Sequence, residues 1–254
     1  MRFTKMHGAG NDYIYINGFG EDIRDPSALA IRMSEPHFGV GSDGLILVLP
    51  SDRADFRMRM FNRDGSEGAM CGNGARCVGL FVRRHGLTDK TAFTLETDSG
   101  IRTVRLVMAD EHVAAVEVDM GIPQHMGVLN EAAHISMGSM HVVHFTEKDP
   151  FAMPDFKRWG TERQNQCDAN IELVQVLPKG NLKMRVYERG SGETLACGSG
   201  ACAALVAASA RNLCERRSDV VMCGGVLEID WRVSDGHVIM TGPAEEVFEG
   251  DWNQ

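Results

Sequence analysis

Two pseudo-symmetric lobes of α+β structure, each a mostly antiparallel sheet wrapped around a central apolar helix, are predicted by three features of this 254-residue sequence. A constant shift along the chain carries Cys71 onto Cys197, Gly72 onto Gly198, Gly74 onto Gly200 and Leu87 onto Leu213. Each of those cysteines opens a Cys-Gly-x-Gly turn that runs into an apolar stretch of helical length. Around both stretches lie short runs of alternating or β-branched residues, the pattern of half-buried strands. The first lobe is expected at 1–119, with 243–254 returning to it, and the second at 120–242. The glycine-bearing stretch 120–130 is the expected hinge. A ligand site is expected in the cleft between the lobes, where small-molecule sites concentrate.

The elements follow in order. Phe3 to Ile16 reads as strand, turn, strand, with the His7–Asp12 cluster of turn formers in the middle. Pro26 followed by Ala28, Leu29, Ile31 and Met33 predicts a short helix with proline near its start. A loop over 39–44 leads into a strand at Leu45–Leu49, and the alternation of Phe56-Arg57-Met58-Arg59-Met60-Phe61 predicts another. The helix after Cys71 is expected over Asn73–His85, closed by basic residues and Gly86. Strands follow at Phe93–Glu96, Ile101–Met108 and Val113–Asp119. The second half repeats the order, with strands at Ile171–Leu177 and Lys183–Tyr187 and a helix over Ala201–Leu213. That helix is apolar almost all round, so it must be buried. Gly224–Asp230 then mirrors Gly100–Leu106, and Met240-Thr241-Gly242-Pro243 echoes Met120-Gly121-Ile122-Pro123.

Composition excludes several classes. The net charge is −9 with basic residues scattered, so no nucleic-acid partner is expected. No apolar run reaches membrane-spanning length, and Met1–Gly8 lacks the apolar core of a signal peptide; a cytoplasmic protein without membrane partners is expected. Seven cysteines without a spacing framework should be free thiols in a reducing compartment. No Cys-x-x-Cys occurs, and His141 and His144 read as strand residues facing opposite sides, so no metal site is expected.

A cysteine at a helix N-terminus meets backbone amides and a macrodipole that favour a thiolate and attract an anion. Glycines beside it let a carboxylate approach the first turn. A single buried cysteine is more often a small hydrophobe, but two in matching Cys-Gly-x-Gly turns point to paired chemistry. One thiolate and one thiol on opposite faces of a chiral carbon can remove its proton and return another, inverting it. Both loops would supply amides for the carboxylate next to the developing charge.

Met6-His7-Gly8-Ala9-Gly10-Asn11-Asp12, Asn62-x-Asp64-Gly65-Ser66-Glu67, Cys71-Gly72-Asn73-Gly74-Ala75-Arg76, Tyr187-Glu188-Arg189-Gly190 and Ala196-Cys197-Gly198-Ser199-Gly200-Ala201 together resemble the diaminopimelate epimerase family over nearly the whole chain. The resemblance implies a cofactor-independent homodimer that interconverts LL- and meso-diaminopimelate. It implies Cys71 and Cys197 as the acid/base pair and backbone amides of Gly72, Asn73, Gly198 and Ser199 as the carboxylate site. Glu188 would engage the reacting amine and, with His141, tune the thiols. Asn11, Asn62, Asn170 and Arg189 would hold the distal end, where a guanidinium buried without a carboxylate partner would be costly.

Three positions depart from the family pattern. Gly44 stands where many members have a Gln that reaches the ligand, and Ser139-Met140 replaces an Asn-Pro before His141. Those changes touch the far end of the substrate and leave open a racemase for another amino acid, such as histidine. Proline-racemase-type enzymes share the two-thiol logic, but typically carry Cys-Gly-His where this chain has Cys-Gly-Asn. A two-lobed amino acid binding protein would need no thiols, and pyridoxal chemistry would need a Schiff-base lysine in a phosphate-loop context.

Overall fold

A computed structural model describes residues 1–21, 23–129 and 131–253, grouped in two compact units: Met1–Val118 with Gly242–Gln254, and Asp119–Thr241. The first unit opens with β1 (Arg2–Gly8) and β2 (Asn11–Asn17). Ala9 and Gly10 link them, both with positive φ (57° and 81°), the two-residue turn that suits the twist of a hairpin. Helix α1 (Pro26–Ser34) starts as the sequence indicates: Pro26 sits at its first position and the Asp25 carboxylate accepts the Ala28 N–H at 2.9 Å. Then come β3 (Gly44–Leu49), β4 (Phe56–Asn62), the short β5 (Glu67–Gly68), α2 (Gly72–Arg84), β6 (Ala92–Thr97), β7 (Gly100–Ala109) and β8 (His112–Asp119).

The second unit repeats this sequence of elements. Strands β9 (Gln124–Leu129), β10 (Ala132–Ser136) and β11 (Met140–Phe145) precede α3 (Phe156–Gln164). After it come β12 (Asn170–Val176), β13 (Leu182–Glu188), β14 (Gly192–Thr194), α4 (Gly198–Ala210), β15 (Arg217–Met222), β16 (Gly225–Trp231) and β17 (Val238–Gly242). The last strand of the chain, β18 (Glu245–Asp251), pairs with β1 in the first unit. Pairing is mostly antiparallel in both units, with parallel steps at equivalent places: β2 on β3 and β4 on β6 in the first, β11 on β12 and β13 on β15 in the second.

Each unit packs its sheet around one helix. Helix α2 lies against β1, β2, β7 and β18, and α4 against β10 to β13, β15 and β16. All of α2 from Gly72 to Val82 is buried, and so is α4 from Gly200 to Ala208. A helix enclosed on every side needs small residues where the sheet comes close. At Gly79 of α2 an added Cβ would lie 2.7 Å from Val116 Cγ1 and 3.1 Å from Val104 Cγ1.

Several expectations need correction. Helix α4 begins at Gly198, three residues before the expected Ala201, because Cys197 is already the N-cap and the glycine turn is itself helical. It stops at Ala210: Asn212 turns left-handed (φ 57°) and the Leu213 N–H bonds the Ala208 carbonyl. Of the expected hinge 120–130, residues 124–129 form β9 in the second unit, and Asn130 lies outside the described residues. The sequence also gave no sign of α3, whose polar surface is anchored by Phe156 and Trp159 stacked at 5.5 Å and by Arg163 over the Trp159 ring at 4.1 Å.

Gly79→Leu should therefore overpack the contact of α2 with β7 and β8 and cost about 1–3 kcal/mol. Urea unfolding should show it as a lowered midpoint, and an unchanged midpoint would mean the contact is loose.

Candidate active site

Cys71 leaves β5 in extended conformation (φ −128°, ψ 116°) and becomes the N-cap of α2. Its sulfur accepts the Gly74 N–H at 3.3 Å and donates to Asn11 Oδ1 at 3.4 Å. Asn11 is held from behind, its Nδ2 donating to Asp43 Oδ2 at 2.8 Å. Asp43 also accepts the Asp12 N–H at 3.1 Å, which fixes the β1–β2 hairpin end beside the thiol. Arg76 is wholly buried one turn along: its Nη1 donates to Asn73 Oδ1 at 2.9 Å and its Nε to the Pro243 carbonyl at 3.1 Å.

Cys197 caps α4 with almost the same backbone (φ −125°, ψ 111°) but different neighbours. It is 5% exposed, with the Ser199 hydroxyl 3.6 Å from its sulfur. Burial pushes its thiol well above the usual range, and the Glu188 and Glu172 carboxylates push it further. Glu188 comes from the end of β13, where the β13–β14 hairpin brings the Thr194 hydroxyl onto its Oε1. Burial also raises Glu188, against the opposing bonds from Thr194 and Cys197. His141 in β11 and Glu172 in β12 are wholly buried and paired, Nδ1 to Oε1, at 2.6 Å.

The remaining expected site residues have other work in this structure. Asn62 closes a turn, its Nδ2 donating to Ser66 Oγ at 3.0 Å. Asn170 Oδ1 accepts the Arg189 N–H at 2.9 Å, and its Nδ2 donates to the Met140 carbonyl at 3.4 Å. Arg189 is not a buried guanidinium: its side chain is 56% exposed and pairs with Asp168 at 2.8 Å. The penalty expected for leaving it without a substrate carboxylate therefore does not apply; such an exposed pair is worth about 0–1 kcal/mol. Ser139 does not stand free for a ligand either, since its Oγ lies 3.0 Å from His141 Nε2. Met140 packs beside the core formed by Ala132, Val142, Ala169 and Ile171. Gly44 is closed to any side chain in this backbone, because a Cβ would overlap the Phe61 carbonyl oxygen and lie 2.9 Å from the Tyr13 ring. Sequence reasoning missed Asp43, Glu172 and Thr194, whose partners Asn11, His141 and Glu188 are brought to them by strand pairing.

The burial of Cys197 has a measurable consequence. Below a raised pKa the thiolate fraction grows about tenfold per pH unit. Alkylation of Cys197 by iodoacetamide should be slow at about pH 8 and accelerate steadily to about pH 10, while the exposed Cys223 reacts first. Peptide mapping that finds Cys197 labelled as fast as Cys223 at about pH 8 would contradict this environment.

Known proteins resemble this chain over nearly its full length. The diaminopimelate epimerase family model matches residues 3–126 and 134–247. A diaminopimelate epimerase of Bacteroides thetaiotaomicron is 46% identical, with 99% of this chain and 97% of that protein covered. One from Acetivibrio thermocellus is 44% identical (99% and 98%), and one from Methanococcus maripaludis 43% (99% of each). The fold is also that of a hydroxyproline epimerase from Agrobacterium vitis, solved with trans-4-hydroxy-L-proline bound (TM-score 0.76, 15% identity, 98% and 90% covered). A phenazine biosynthesis protein of the PhzF family from Bacillus anthracis shares it too (TM-score 0.75, 17% identity, 98% of each chain). With full-length matches at this identity and both Cys-Gly-x-Gly turns capping buried helices, the chain belongs to the diaminopimelate epimerase family.

Proposed function

We propose that this chain epimerises LL-diaminopimelate to the meso form, on the route to lysine and peptidoglycan, by a two-thiol mechanism that needs no cofactor. The observation that carries the proposal is the matched pair of cysteine N-caps, Cys71 on α2 and Cys197 on α4, in a chain 42–46% identical to proteins named diaminopimelate epimerase. One sulfur, as thiolate, takes the α-hydrogen as a proton. The other, as thiol, returns a proton to the opposite face. Amides of Gly72, Asn73, Gly198 and Ser199 in the first turns hold the reacting carboxylate and stabilise charge developing on it. The two carboxylates beside Cys197 favour its protonated form, which suits it to the part of the acid. Glu188 takes the reacting amine.

At the distal end, Arg189 is exposed and can exchange Asp168 for a substrate carboxylate without crossing a desolvation barrier. Histidine racemisation, raised by Gly44 and Ser139-Met140, gains no support from side chains that are engaged within the chain itself. The cytoplasmic homodimer implied by the family resemblance belongs to the same proposal; among the described residues no helix is long and apolar enough to cross a membrane.

The test is loss of the α-proton signal in deuterated water for a panel of single-enantiomer amino acids that includes LL-diaminopimelate and L-histidine. Diaminopimelate should exchange fastest, and faster exchange of histidine at equal concentration would reassign the substrate. Cys71→Ala and Cys197→Ala should each lower inversion by ~10²–10⁴-fold with the fold intact, the span typical of a lost acid or base. Near-wild-type inversion in either variant would rule out the two-thiol mechanism.

A further inference from the structure

Glu172 touches no substrate in the chemistry above and only biases the charge on Cys197, yet its placement is specific. Strands β11 and β12 run parallel with His141 opposite Asn170 and Val143 opposite Glu172, so His141 and Glu172 share one face of the sheet as diagonal neighbours. Both side chains are wholly buried, with Nδ1 2.6 Å from Oε1. On the far edge of the ring, Nε2 lies 3.0 Å from Ser139 Oγ. The second carboxylate oxygen, Oε2, has no hydrogen-bond partner among the described residues. Helix α4 approaches so closely that a Cβ on Gly200 would lie 2.8 Å from Oε1 and 3.3 Å from Cys197 Sγ, which puts the carboxylate beside the first turn of that helix. The other titratable groups in electrostatic reach of the pair are Glu188, Cys197 and Cys167.

A carboxylate enclosed this way is costly unless a strong donor meets it. The Nδ1–H of His141 is that donor, and the bond decides which nitrogen of the ring is basic. With Nδ1 carrying hydrogen, Nε2 is left to accept, first from the Ser139 hydroxyl.

We propose that Glu172 is a positioning residue of the Cys197 half-site, which holds His141 with Nδ1 protonated and Nε2 accepting from Ser139. This rests on Cys197 being an acid/base group of the proposed epimerase.

Long-range ¹H–¹⁵N spectra of protein labelled in histidine read the tautomer directly, with the His141 signals assigned by their loss in His141→Gln. The wild type should show Nδ1 of His141 protonated across about pH 6 to 9, the range around an ordinary imidazole and thiol. A His141 protonated only on Nε2 would overturn the proposal whatever the variants do. Glu172→Gln keeps the shape and removes the charge; it should lower kcat by about 10–100-fold, the usual loss when an orienting partner is removed. KM should hold within about twofold, and the pH–rate limb assigned to the half-site should move by about one unit. Unchanged kcat and pH profile in a normally folded Glu172→Gln would equally overturn it. If the wild type exchanges no amino acid α-hydrogen at all, the epimerase proposal fails instead, and the tautomer still decides whether Glu172 positions His141.

Discussion

Everything in each unit depends on holding a thiol at the N-cap of a buried helix. Serine, threonine, aspartate and asparagine cap a helix better than most residues, by about 1 kcal/mol over a poor cap. At Cys197 the sulfur meets no amide in capping geometry, and at Cys71 it accepts the amide of Gly74. Stability alone would not choose cysteine at either place. The structure compensates by enclosing the helix: α4 is buried from Gly200 to Ala208 and α2 from Gly72 to Val82. Enclosure explains the glycines and alanines along both helices, since the sheet comes within van der Waals contact on several sides at once. It also fixes the direction of the dipole relative to the thiol, because a helix packed all round cannot tilt.

The two half-sites share that backbone and differ in electrostatics. Cys71 faces a neutral amide, Asn11, oriented by Asp43, and its helix carries the buried Arg76. The position matching Arg76 in the second repeat is Cys202, a buried neutral residue. Cys197 instead meets carboxylates from β12 and β13, with His141 beside them. An inversion by two groups needs one to start protonated and the other not. Divergence in the strands behind each cysteine gives the two thiols different surroundings.

Much of this was legible in the sequence, for a physical reason. Strands β4 and β7 announce themselves because burial alternates along them, as from Phe56 to Phe61, while β3 and helices α2 and α4 do so as continuous apolar runs bounded by turn residues. The cysteine turns are legible because a helix N-terminus is built from consecutive residues. Helix α3 escapes because its sequence, FKRWGTERQ, is mostly polar and only Phe156 and Gly160 are buried. Strand β18 escapes because it is acidic and mostly exposed, and its pairing with β1 links the two ends of the chain. Glu172 could not be read as a partner of His141 without knowing that β11 and β12 are parallel and in that register. Exposure is equally non-local, which is why Arg189 looks like a buried clamp in sequence and stands in solvent with Asp168 in the structure.

The departures from the family pattern illustrate the same limit from the other side. In a motif, Ser139 in place of Asn reads as a lost ligand contact. In the fold, the hydroxyl sits on His141 Nε2, at the end of a buried chain that runs through Glu172 to the first turn of α4. Gly44 reads as a missing side chain, yet the β3–β4 register leaves no space for one above Phe61. Both residues are thus constrained by their neighbours inside one unit, and neither substitution requires a new substrate to account for it. A change at a binding motif speaks about the ligand only after the chain's own demands on that position have been met. Here those demands are a hydrogen bond to a buried imidazole and the close approach of a neighbouring strand.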